Sequence, residues 1–175
     1  MRQQTTHPGD IVVAIQLALE LPKSLTELGL ASGRSIGEVH NAVGRLRMAA
    51  LVEQDGRRVD RESLLQFIRW GLPVAYPALI RSETVGVGTA RLTPAPGDIL
   101  AGSGDFEFVW ADPDGSSRGV ALVPLHPRVP KIVIGNPRLY AALAAVDLVR
   151  VGGTRERTAA VERLRQLLGE PVRNG

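Results

Sequence analysis

Apolar residues recur at helical spacing near the start of the chain. Over residues 8 to about 21, Ile11, Ile15, Ala18 and Leu19 return at steps of three and four, which predicts an amphipathic helix. Pro8 suits a first turn, Asp10 complements the helix dipole, and Pro22 stops the run. A short helix is predicted from residue 24 to about 30, with Leu25 and Leu28 inward. A longer one follows from residue 35 to about 50, with Ile36, Val39, Val43 and Leu46 toward the core. Both open with the same signature. Ser24 precedes Glu27, and Ser35 precedes Glu38, by the spacing of a capping box, in which the serine accepts an orphan amide and the glutamate reaches back to the cap. Between them Ala31-Ser32-Gly33-Arg34 has the composition of a tight turn, with Gly33 able to take a positive φ.

Past the third helix the period shortens. Leu51-Val52-Glu53 and Arg57-Arg58-Val59 flank Asp55-Gly56, the pattern of a short β-hairpin. A fourth helix starts at the cap Asp60, turns Leu64, Phe67 and Ile68 inward, and is expected to end at Gly71 before Pro73. Helical periodicity then disappears until about residue 136. Phe106 to Trp110 alternates as a strand, Asp112-Pro113-Asp114-Gly115 is a turn, and Val120 to Leu125 is the expected direct partner. This makes a β-hairpin over about 106–125. Residues 81–104 are the least legible, with the glycines of Val85-Gly-Val-Gly-Thr-Ala90 fitting a bulged strand. Two helices close the chain. One runs over about 137–149 behind the cap Asn136. The other runs over about 154–168 with Thr154 as cap, and Gly169 and Pro171 end it. The class predicted is α+β, with an N-terminal unit over 8–72 and a C-terminal α+β extension over 73–175.

Composition narrows the chemistry. At 44% hydrophobic and 4% aromatic, the 175 residues must build a core from Leu, Val, Ile and Ala. The absence of cysteine removes disulfides, thiolate metal sites and cysteine nucleophiles. The net charge of +3 mildly favours nucleic acid. Of the 21 basic residues only Lys23 and Lys131 are lysine, and arginine's planar fork suits phosphate and guanine. His7, His40 and His126 are isolated, and no metalloprotease or nucleophile-elbow motif is present. Asp112-x-Asp114-Gly115 lacks the later acidic ligands of a calcium loop. The expectation is therefore a non-enzyme with no cofactor and no metal. The polar opening MRQQTTHPGD carries no signal core, and no apolar run approaches the roughly 18 residues of a membrane span. A cytoplasmic location without membrane attachment is expected.

From Glu27 to Val52 the residues resemble winged helix-turn-helix transcriptional regulators of the broad MarR-like and ArsR-like class. The likeness rests on Glu27-Leu28-Gly29, Gly33, Ser35-Ile36-Gly37-Glu38-Val39, Val43, Leu46 and Ala50-Leu51-Val52. The chain departs from the pattern at Gly29, where alanine is usual, and at Ser32 and Arg34, where apolar residues flank the turn glycine. The resemblance implies double-stranded DNA as partner, with the third helix reading the major groove and the hairpin acting as a wing. The residues that would carry this are Ser35, Gly37, Glu38, His40, Asn41, Arg45 and Arg47 on the third helix, and Arg57 and Arg58 on the wing. Asn41 suits adenine, Arg45 guanine or phosphate, Glu38 the cytosine amine, and Ser35 with the helix-start amides a phosphate. The wing arginines would reach the minor groove or flanking phosphates. A homodimeric repressor is the expected form, with the two C-terminal helices, bearing Arg155, Arg157, Arg163 and Arg165, as the candidate dimer region. The alternative is a winged-helix protein-interaction module, an antitoxin or adaptor that does not read DNA. Glu38, Glu53 and Asp55 on or near the reading face favour it.

Overall fold

The computed structural model describes residues 5–20, 24–90 and 108–169. Pro22, Phe106 and Pro171, expected to end a helix, open a strand and end the last helix, lie outside them, as does the stretch 91–104. The chain is α+β, with helices around a small three-stranded sheet.

Helix α1 (Pro8–Glu20) sits at the centre. The periodicity predicts one apolar face, but Ile11 to Leu19 is buried on every side. The reason is that α1 meets α2 (Leu25–Ser32) and α3 (Ile36–Met48) as well as α7 (Pro137–Val151) and α8 (Thr154–Leu168). A helix packed all round needs no polar face. One apolar cluster therefore runs from α1 through Leu28, Val43, Leu64 and Ile68 to Leu143, Val146 and Leu164.

Helices α2 and α3 start at the predicted caps. Ser24 accepts the Glu27 amide at 3.1 Å, and Ser35 and Glu38 complete a capping box. Gly33 closes α2 at φ +64°. Two residues of this turn, Ser32 and Gly29, have a local cause. The Ser32 hydroxyl is buried and donates to the Gly29 carbonyl at 3.2 Å. A Cβ on Gly29 would stand 3.0 Å from the Arg34 carbonyl oxygen, a close approach that favours glycine. Val39, Val43 and Leu46 face the core as expected, but Ile36 is 54% exposed. As the first residue of α3 its side chain leans over the preceding turn rather than into the core. The helix leaves through Ala50 in the left-handed region, φ +55°.

The hairpin is shorter than predicted. Only Val52 and Val59 bridge, supported by Glu53 N donating to Arg58 O at 2.8 Å and Asp60 N to Leu51 O at 3.0 Å, around Gly56 at φ +71°. Helix α4 (Arg61–Gln66) then runs through a π-turn (Phe67–Gly71) into α5 (Leu72–Ala75), so Pro73 does not end it. In a regular α-turn the Pro73 ring would crowd the Arg69 carbonyl, and the wider π-turn just before it accommodates that loss of an amide donor.

The sheet corrects the predicted hairpin. Strand β1 (Ile80–Thr89) pairs antiparallel with both β2 (Phe108–Ala111) and β3 (Ser117–Leu122). Strands β2 and β3 are parallel, Phe108 opposite Val120, and the three close into a small barrel. Asp112 to Gly115 does form the turn, with Gly115 N donating to Asp112 O at 3.0 Å, but it carries the chain across β1 rather than back along β2. Glycine makes the crossing possible. A Cβ on Gly86 would lie 2.1 Å from the Trp110 carbonyl oxygen, and one on Gly115 would lie 2.2 Å from the Gly86 carbonyl carbon.

A buried polar cluster fixes the barrel to α7. Asp147 accepts Trp110 Nε1 at 2.6 Å, Thr89 Oγ1 at 3.2 Å and Arg150 Nη1 at 2.7 Å. Arg150 also donates to the carbonyls of Tyr76, Pro77 and Val123. Burial pushes the Asp147 carboxyl up, with Arg150, Trp110 and Thr89 pulling against it. Helix α7 keeps its predicted cap, Asn136 Oδ1 accepting Leu139 N at 3.1 Å. It follows the short α6 (Val129–Ile132), which the apolar pattern did not announce. Helix α8 is capped by Gly153, with Thr154 already its first residue. The apolar sides of α7 and α8 are used inside the chain, in contact with each other and with α1.

Candidate nucleic-acid interface

The α3 face is built by its capping box. Glu38 Oε2 accepts both the Ser35 amide and the Ser35 hydroxyl at 2.8 Å, and the Glu38 amide donates to Ser35 Oγ at 3.2 Å. The Ser35 amide first, then the hydroxyl, holds the Glu38 carboxyl below the usual range. Ser35 and Glu38 are thus engaged in starting the helix, which leaves only Glu38 Oε1 for the cytosine contact expected of it. Beyond them Gly37, His40 and Asn41 point outward. A Cβ placed on Gly37 or Gly44 meets nothing within 4 Å, so this side of the helix is slim and open.

Arg45 departs most from its expected role. Its Nε and Nη2 donate to the two oxygens of Asp10 at 2.7 and 2.8 Å. Asp10 has no exposed surface, and its Oδ2 also accepts the His7 amide at 2.8 Å. The hydrogen bond to Asp10 raises the already high Arg45 pKa. Sequence spacing placed Arg45 on the outer face, but a carboxylate 35 residues away draws it back against α1. In this arrangement it locks α1 to α3 and is not free to read a base.

The two arginines of the 51–60 turn divide. Arg58 folds back on its own turn, 2.9 Å from Asp55 and 3.1 Å from Glu53. Asp55 also accepts the amides of Arg57 and Arg58, and these bonds hold its carboxyl far below the usual range. Arg58 is therefore a turn residue rather than a free cation. Arg57 makes no ion pair among the described residues and lines a depression of about 270 Å3 shared with Ser24, His40, Arg47, Asp55 and Gly56. Arg47 crosses from α3 to the turn, and a Cβ on Gly56 would stand 2.2 Å from its Nη2. Three predicted residues, His40, Arg47 and Arg57, therefore meet at one place, while Asn41 and Arg45 open onto another.

That second place includes residues the sequence reading missed. Asn41, Asp10 and Arg45 share an open cavity with Arg34 and His126. Arg34 donates to the Gly9 carbonyl at 2.9 Å, and burial lowers its pKa despite the nearby Asp10 and Glu38. The only signal for Arg34 was its place beside the cap Ser35. His126 had none, since it comes from the loop after β3, far from α3 in sequence.

Compared with family models, curated proteins and solved structures, the chain matches none. Among the described residues no group of three His, Asp or Glu side chains is placed to hold a metal ion, and no helix is long and apolar enough to cross a membrane.

Proposed function

We propose that the chain is a DNA-binding transcriptional regulator of the winged helix-turn-helix type. Helices α2 and α3 would be the helix-turn-helix and the 51–60 turn a short wing. The observation that carries this is the convergence of His40, Arg47 and Arg57 on one depression beside the start of α2. Two guanidinium groups from separate elements, next to an Asp55 already fully bonded, suit a backbone phosphate. With a phosphate held there, the slim face of Gly37, Asn41 and Gly44 would lie toward the base edges. Asn41 is the one side chain on it suited to adenine, so base readout would be modest and backbone contact dominant. A homodimer on a near-palindromic site, acting as a repressor, is the form proposed.

The test is selection of bound fragments from genomic DNA, followed by fluorescence anisotropy on the enriched site at several salt concentrations. Arg47→Ala with Arg57→Ala should lower the salt slope by about 0.9, the value for one lost phosphate contact. An unchanged slope would remove these residues from the interface. Enrichment of nothing by folded protein would overturn the DNA reading. A second reading, a protein-interaction module with the same fold, is favoured by Leu30, Ile36 and Met48, which are 81%, 54% and 65% exposed on α2 and α3. Ile36→Asp would then abolish partner capture while leaving the protein folded.

A further inference from the structure

An open cavity of about 440 Å3 lies between the start of α1, the α2–α3 turn, the middle of α3 and residues 125–127. Three of its four carboxylate oxygens are engaged. Both Asp10 oxygens are bonded to Arg45, and Oδ2 holds the His7 amide as well. Glu38 Oε2 holds Ser35 twice. Its donors are in surplus. Arg34 spends one guanidinium N–H, on Nη2, on the Gly9 carbonyl and has others to give. His126 Nδ1 accepts the Arg128 amide at 3.3 Å, so the neutral ring carries its proton on Nε2. Asn41 adds an exposed amide. Among the lining residues Arg34 and Arg45 balance Asp10 and Glu38, and Arg128, close enough to act on both Arg34 and His126, adds one positive charge from outside the lining. Pro8, Leu125 and Pro127 supply an apolar wall.

We propose that this cavity binds a small ligand through an oxyanion, a carboxylate or a phosphate, held by Arg34, His126 and Asn41. Its volume is within the range of small-molecule sites, and convergent donors with few free acceptors select for an anion. Burial, then Arg34 and Arg128, keeps His126 below its ordinary pKa, with Glu38 acting the other way. A bound anion adds the missing negative charge and raises it, which gives binding a signature of its own. The site is independent of the DNA reading, although Asn41 belongs to both.

The experiment uses the full chain without DNA. Sodium phosphate and sodium benzoate are titrated separately, with chloride matching the ionic strength, and followed by amide and histidine NMR shifts. The expected result is saturable shifts at Gly9, Arg34, Asn41 and His126 with at least one probe, and an upward move of the His126 titration midpoint. The probe that saturates at lower concentration names the class. Binding should weaken at least about tenfold in Arg34→Gln and in His126→Phe. Asn41→Ala, at an exposed position, should also weaken binding and keeps the test decisive if Arg34→Gln does not fold. Unsaturated shifts with both probes, the same response to chloride, or unchanged affinity in the folded variants would overturn the proposal. Because no DNA is present, that failure is separate from failure of the DNA reading.

Discussion

Replacing Arg45 with methionine keeps most of the side chain's stem and removes its guanidinium. Asp10 then stays in a place with no exposed surface, with only the His7 amide still bonded to it. Breaking a buried ion pair from one side costs about 3–5 kcal/mol, because the remaining charge is left without its counter-ion. Arg45 is 15% exposed, so water relieves part of this, and the low end, about 3 kcal/mol, is expected. For a chain of this size that corresponds to a fall in Tm of about 6–12 °C. Urea unfolding followed by circular dichroism measures it, alongside DNA affinity below the transition. Adding Asp10→Asn should recover part of the loss, since the orphaned charge is then gone. If Arg45→Met stays within about 0.5 kcal/mol of wild type and loses DNA affinity instead, the inward Arg45 is wrong and the base-reading role returns.

Ala50→Gly should stabilise the protein by about 1 kcal/mol, because residue 50 holds φ +55° at the exit of α3; a lower urea midpoint would contradict that strain. Gly86→Ala should prevent the barrel from forming, since the new Cβ would fall 2.1 Å from the Trp110 carbonyl oxygen; near-native Trp110 fluorescence in the variant would refute the crossing. For His126 the sign follows from its lowered pKa. The unfolded chain takes a proton near pH 6.5 while the folded chain resists it, so stability is full above that pH and is lost as pH falls toward the folded pKa. His126→Phe should therefore flatten the acid side of the stability profile, and an unchanged slope would show that another group is responsible.

What was legible in the chain was local. Ser35 and Glu38 meet three residues apart, so their spacing foretells both the cap and the helix it starts. Asn136 and the glycine turn at Gly33 were readable for the same reason. The fate of Arg45 was not, because helical spacing says where a side chain starts and not which distant carboxylate it finds. Nor was the direction of β3. A turn composition at Asp112 to Gly115 looks the same whether the chain folds back on β2 or crosses to the other side of β1. Only the small residues Gly86 and Gly115, meaningless until paired, make the second course possible. Helix α1 looked one-sided because the partners of its other side, α7 and α8, come more than a hundred residues later.

The barrel bears on how copies of this protein meet. A free strand edge is a template for adding another chain, and closing a sheet removes it. Among the described residues β2 covers only Gly86 to Thr89 of β1, and the first half of β1 has β3 on one side alone. That half carries exposed Arg81, Ser82 and Glu83, and its register slips between Ile80 and Glu83. Charge and irregularity together make it a poor template for strand addition. Concentrated solutions should therefore resist growth by strand addition along this half of β1, and an ordered assembly that used it would have to be made by side chains rather than by backbone.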